Sequence, residues 1–212
     1  MKILSRSSTN QSQMPSTQTY LQLNDQLVIF LRTWGAGDYN QKVVDEVTHY
    51  ISTTQADIEV TTPFDYNESM SSSANRTRIS LMLAHDLLYK TDNRTEYLVA
   101  FEVLVMYQNK NELAWSSVGR FNISKLQGNR MTPLLQLGSD LDNETLLPIQ
   151  LIGVEKETCM NSGSILFEKN TPIIVSSPFQ CEIVLNDAGD VNQLVEAEPF
   201  QSTYWYSVLT LG

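Results

Sequence analysis

Residues 97–137 read YLVAFEVLVMYQNKNELAWSSVGRFNISKLQGNRMTPLLQL, and this stretch decides the fold class. Four β-favouring runs stand in it: Tyr97 to Tyr107, Leu113 to Val118, Phe121 to Leu126 and Met131 to Leu137. Branched and aromatic side chains fit a pleated, half-buried surface. Between the runs stand Gln108-Asn109-Lys110-Asn111, Gly119 and Gln127-Gly128-Asn129, residue types that admit tight turns. The pattern predicts a meander of short antiparallel strands.

Upstream, Leu21 to Leu31 alternates and then becomes apolar, which predicts a strand entering a core. Gly35-Ala36-Gly37-Asp38 reads as a turn, with Asp38 as the cap of a helix over about 39–51. Val43, Val44, Val47 and Ile51 share one face of that helix. Residues 52–76 are rich in Thr, Ser and Asn and read as a long connection. A second helix is expected over about 78–89, with Ile79, Met82, Leu83, Leu87 and Leu88 as its apolar stripe. Downstream, strands are expected near 164–167, 172–176 and 204–211, and a helix over about 180–195 with a break at Gly189. Residues 1–19 form a polar arm or an edge strand. The expectation is a single α+β domain over 1–212, mainly antiparallel, with helices packed outside.

Composition limits the function. The chain has 212 residues, enough for one sizeable core. Its hydrophobic fraction of 42% argues against a disordered chain. Fourteen basic residues against 24 acidic ones give a net charge of −10, which repels nucleic acid at long range. No apolar run approaches the roughly 20 residues that span a bilayer. The longest, Tyr97 to Tyr107, is interrupted by Glu102. Cys159 and Cys181 lie far apart with no Cys-x-x-Cys spacing, and the first twenty residues hold no apolar signal core. A reduced, cytoplasmic protein is therefore expected. Sequons at Asn67, Asn75, Asn93, Asn122 and Asn143 then read as chance products of an Asn-, Ser- and Thr-rich chain.

Several segments, in order, resemble the PP2C (PPM) family of metal-dependent protein phosphatases. Asn10-Gln11-Ser12 stands where the family has Asn-Gln-Asp, and Arg32-Thr33-Trp34-Gly35 where it has Asp-Gly-Met-Gly. Leu113 to Asn122 is similar to the family hairpin that ends in Gly-Asp-Ser-Arg. Ile173 to Phe179 resembles the strand that ends in Ser-Asp-Gly, and Ser202-Thr203 the Asp-Asn-x-Thr before the last strand. The resemblance covers nearly the whole chain. It implies a PP2C-like sandwich of two antiparallel β-sheets flanked by helices, and a site where carboxylates hold Mg²⁺ or Mn²⁺. At the matching positions this chain has Ser12, Arg32, Arg120, Pro178 and Ser202, and none is a carboxylate. The resemblance then implies a pseudophosphatase without metal or other cofactor. It would act as a protein-binding or scaffold subunit, in a signalling or secretion-type complex or as a homo-oligomer, with no nucleic-acid partner and no membrane insertion.

Three further readings concern particular residues. Asp38, Asp187 and Asp190 are the acids available to rebuild a metal site, which would make the chain a divergent phosphoserine/phosphothreonine phosphatase with relocated ligands. Arg32 and Arg120 could line the former phosphate cleft and hold a phosphate or carboxylate, or each could pair with a nearby acid. Tyr204, Trp205 and Tyr206 alternate on a strand, so one face would be core and the other a candidate interface. His49 and His85 have no local partner at metal-ligand spacing, and Ser176-Ser177 lacks a nucleophile elbow.

Overall fold

The structure, a computed structural model, describes residues 1–8, 15–35, 38–56, 62–127, 130–136, 150–177, 183–184, 195–196 and 204–212. Two five-stranded antiparallel sheets and two helices make up the architecture, as the α+β reading expects. The chain divides into two compact units, each built on one sheet.

The first unit spans 15–119 and 148–167. Its strands are β2 (Gln18–Gln22), β3 (Leu27–Gly35), β4 (Val99–Asn109), β5 (Glu112–Val118) and β8 (Asn161–Leu166), in the order β2-β3-β4-β5-β8. Helix α1 (Asn40–Ala56) and helix α2 (Ser72–Leu87) pack on it, and α2 runs into a π turn at Leu88–Asp92. One sheet face carries Leu27, Ile29, Leu31, Phe101, Val103 and Val105 against Val43, Val44, Val47 and Ile51 of α1 and Leu81, Ala84 and Leu88 of α2. Full burial of each such side chain contributes roughly 1.5–3 kcal/mol. The other face, with Val28, Phe30, Leu104 and Met106, is equally buried.

The second unit spans 1–14, 120–147 and 168–212. Its sheet has the order β1-β12-β9-β6-β7, from β1 (Lys2–Ser8), β6 (Asn122–Gln127), β7 (Arg130–Leu135), β9 (Pro172–Ser176) and β12 (Tyr204–Thr210). The two-residue strands β10 (Ile183–Val184) and β11 (Val195–Glu196) form a separate pair.

Four expectations need correction. The meander is not continuous: β5 pairs with β4 and β8, whereas β6 pairs with β7 and β9. The chain changes sheets at Gly119-Arg120, where Gly119 has φ +96°. The run Leu21 to Leu31 is a hairpin, because Leu23, Asn24 and Asp25 all adopt positive φ and turn the chain between β2 and β3. Helix α2 begins six residues early, at Ser72, with Ser71 as its N-cap accepting from the Ala74 N–H at 3.1 Å. The span 180–195, read as helical, contributes two strand residues, Ile183 and Val184, at one end and Val195 at the other, and its remainder lies outside the described residues.

The rotation of α2 also differs. Ile79 and Leu88 are buried as expected, but Met82, Leu83 and Leu87 are only half-buried. Ser73, Thr77 and Ser80 take the inward positions. Their hydroxyls are satisfied locally or across the sheet: Thr77 Oγ1 and Ser116 Oγ share a hydrogen bond at 3.0 Å, and Ser116 Oγ and Ser162 Oγ one at 2.7 Å. A buried polar face of this kind is invisible to a hydrophobic period.

Candidate functional site

Strand β3 enters the sheet through five fully buried apolar residues and then places Arg32 directly opposite Glu102 of β4. The alternation of a strand puts both side chains on the same face. Arg32 Nη1 donates to Glu102 Oε2 at 2.6 Å, with Arg32 2% exposed and Glu102 0% exposed. Arg32 Nε donates to Thr17 Oγ1 at 2.8 Å. Two charges removed this far from water require each other: the isolated ions would cost several kcal/mol apiece.

Gly119 makes the arrangement possible. A Cβ at this position would stand 2.5 Å from Glu102 Cγ and 2.6 Å from Glu102 Cβ. The glycine therefore supplies both the left-handed backbone and the space that the Glu102 side chain occupies. Arg120 follows it, buried at 7% exposure, as the first residue of the other unit. Arg32 and Arg120 thus belong to different units.

The remaining candidates fall as follows. Ser12, Pro178, Ser202, Asp187 and Asp190 lie outside the described residues, as do Cys181 and Asn143. Asp38 is exposed, two residues before α1. Among the described residues no group of three or more His, Cys, Asp or Glu is placed to hold a metal ion. At Arg32 itself the donor set does not suit a divalent cation, because the carboxylate present, Glu102, is neutralised by the guanidinium.

Trp205 and Tyr206 are 6% and 2% exposed, which corrects the expectation of an outward aromatic face on β12. The Trp205 ring meets Phe121 edge-on at 6.3 Å between centroids. The Tyr204 side chain is outside the described set. Ser177 Oγ bridges the Trp205 backbone, donating to its carbonyl and accepting from its N–H at 3.2 Å, so it serves β9 and β12 structurally. Two sequon asparagines are buried and engaged. Asn75 Nδ2 donates to the Asn67 carbonyl at 2.8 Å, and Asn93 Nδ2 to the Val99 and Gly153 carbonyls at 2.6 and 2.7 Å. Neither amide is available for modification in the folded chain.

The sequence signal that pointed to Arg32 was positional, and its partner was missed. Glu102 was visible only as a charge interrupting the apolar run of β4. Such an interruption at a central strand is a signal for a buried ion pair.

No family model matches the sequence, and no curated protein does. Solved structures do match the fold. PppA, a key regulatory component of T6SS in Pseudomonas aeruginosa, superposes with a TM-score of 0.60 at 11% identity, covering 99% of this chain and 97% of its own. The Mycobacterium tuberculosis serine/threonine phosphatase PstP/Ppp gives 0.59 at 11% identity, with 99% and 98% covered. The PPM Ser-Thr phosphatase MsPP from Mycobacterium smegmatis gives 0.58 at 9% identity, with 100% and 99% covered. With nearly the full length of this chain and of those structures matched, the chain has the PP2C-like fold of the PPM serine/threonine phosphatases.

Proposed function

We propose that this chain is a pseudophosphatase: a PP2C-like domain that has given up metal-dependent hydrolysis and works as a protein-binding or scaffold subunit. The observation that carries this reading is the Arg32–Glu102 pair at 2.6 Å. By its resemblance to Asp-Gly-Met-Gly, the end of β3 is where such a phosphatase needs a metal-ligating carboxylate. This chain puts a guanidinium there and neutralises it with its own buried acid. A second cation, Arg120, stands where the hairpin motif has its aspartate. Mg²⁺ and Mn²⁺ are hard cations that require anionic oxygen, and neither guanidinium position offers an oxygen ligand, while the acid beside Arg32 is already engaged by it.

The partner is a protein in the cytoplasm, in a multi-protein assembly of the signalling or secretion type or a second copy of this chain. The likeness to PppA, a regulatory component of a secretion system, supports that class of assembly. The net charge of −10 favours a partner surface of basic character.

The test is p-nitrophenyl phosphate hydrolysis with Mn²⁺, together with calorimetric titration of Mn²⁺ into the purified chain. No turnover above background and no ion binding are expected. Turnover, or stoichiometric binding of two ions, overturns the reading. Loss of that turnover in Asp38→Ala or Asp190→Ala would then assign it to relocated ligands. Affinity capture from the native cell with mass spectrometry identifies the partner.

A further inference from the structure

The segment 150–159, part of the first unit, is tied to the strands and helix of that unit at Ile152 and Gly153. Ile152 exchanges hydrogen bonds with Phe101, its N–H donating at 2.9 Å and its carbonyl accepting at 3.4 Å. Gly153 is clamped on both sides of its own backbone. Its N–H donates to His85 Nδ1, in the last turn of α2, at 3.2 Å, and its carbonyl accepts from Asn93 Nδ2 at 2.7 Å. Asn93 is fixed in turn by the Leu98 and Val99 N–H groups, which donate to its Oδ1 at 2.9 and 3.2 Å. Gly153 has φ +86°, and a Cβ there would lie 3.0 Å from both Asn93 Nδ2 and Leu88 Cβ. The backbone at this point is therefore fitted closely between His85 and Asn93.

One side of the clamp can be protonated. An imidazole nitrogen that accepts a hydrogen bond carries no proton, which assigns the proton of the neutral ring to Nε2. A second proton could enter only at Nδ1, and it would face the Gly153 N–H donor to donor. The ring is 7% exposed and lies parallel to the Tyr89 ring, so water cannot readily solvate the resulting cation. The charged groups around it offer limited compensation. Asp86, on the same helix, is engaged by Lys90 at 2.8 Å. Asp92 of the π turn is engaged by Lys42 of α1 at 2.5 Å. On the facing segment stand Glu155 and Lys156, of opposite sign.

We propose that His85 is a proton-operated latch that holds residues 150–159 against the end of α2 when neutral and releases them when protonated. Its titration supports the direction. Burial holds the His85 pKa below its ordinary value of 6.5, outweighing the backbone hydrogen bonds of Lys156 and Glu155 and the charge of Asp86, which act to raise it. The released state therefore takes up the proton first as pH falls below about 6.5, and latching is fully present above that pH and lost as pH falls through the lower folded value. Release would expose Ile152 and Gly153, the two buried residues of the segment.

The test is amide hydrogen exchange at Ile152–Lys156 at pH 7.5 and 5.5, each corrected for the intrinsic exchange rate. In the wild-type chain, protection is expected to fall several-fold at pH 5.5. His85→Asn offers an amide oxygen near the Nδ1 position and cannot titrate, so its protection should be equal at the two pH values. His85→Leu should give low protection at both. The Gly153 amide resonance of the unmodified chain provides a measure that needs no variant: it should titrate with the His85 ring. Equal wild-type protection at the two pH values, a pH effect that persists in His85→Asn, or a Gly153 resonance that ignores the His85 titration each overturns the proposal.

Discussion

The central sheet of the first unit places polar groups on both of its faces, in opposite ways. On one face a single ion pair, Arg32–Glu102, is set among Phe30, Leu104 and other apolar side chains. On the other, under α2, hydroxyls are spread along a seam: Ser73 and Thr77 from the helix, and Ser116 and Ser162 from β5 and β8. At the head of the seam Ser73 donates to Glu112, the first residue of β5 and the partner of Asn109 in the β4–β5 hairpin, at 2.7 Å. The pair concentrates its energy in one contact whose members cannot be lost singly. The seam divides it among neutral groups that both donate and accept, so each bond matters little.

The largest expected effect comes from splitting the pair. Arg32→Met or Glu102→Leu alone leaves a buried charge unmatched and should cost about 3–5 kcal/mol in denaturant unfolding. The double variant Arg32→Met/Glu102→Leu should recover most of that loss, because apolar groups of similar volume commonly replace a buried pair at little cost. Additive losses in the double variant would show that the two residues do not act as a unit. Next comes Gly119→Ala, which combines a left-handed backbone with a methyl group placed against Glu102. It should lower stability by about 1–3 kcal/mol, and less in the background of Glu102→Gly, which removes both the Cγ and the Cβ that the new methyl meets, if the contact with Glu102 is the main cause.

How much of this was legible in the sequence depends on how local each signal was. Strand β9 was expected at its observed bounds because Pro172 opens the run Ile173-Ile174-Val175 and the serines close it. The buried face of α1 followed from the spacing of Val43, Val44, Val47 and Ile51. The β2–β3 hairpin was missed although Asn24-Asp25 carried its signal, since both residues tolerate positive φ. The first two turns of α2 were missed because Ser, Asn and Thr disfavour helix interiors in isolation, and here tertiary contacts of Ser73 and Thr77 override that preference. Of the site, the cation at the end of β3 was legible. Its partner was not, because 70 residues separate Arg32 from Glu102 and no local period links them.

The seam supplies the smaller effects. Thr77→Val and Ser116→Ala should each cost about 1 kcal/mol, and a double-mutant cycle between them should show coupling below that figure, since Ser116 keeps its bond to Ser162. Values above those of the Arg32–Glu102 cycle would reverse the contrast between the two faces. The smallest effect is in acid. Burial acts to raise the Glu112 pKa, but hydrogen bonds from Ser71, Ser73 and Ser164, with the charge of Arg76, outweigh it and hold the carboxyl below its ordinary 4.5. Its contribution is therefore present above pH 4.5 and lost as pH falls through the lower folded value. Glu112→Gln should flatten that part of the stability curve, and an unchanged slope would remove Glu112 as its source.

The pairing of β1 with β12 has a mechanical consequence. Lys2 stands opposite Thr210, and the ladder runs from there to Ser8 opposite Tyr204. The first and last strands therefore begin and finish at the same end of one ladder. A tether pulling on both ends would load its rungs in sequence, as a zipper, and not all together in shear. Such a ladder peels rung by rung, so a partner that grips the Lys2 end can strip β1, the edge strand, from β12 while the β12–β9 ladder stays intact.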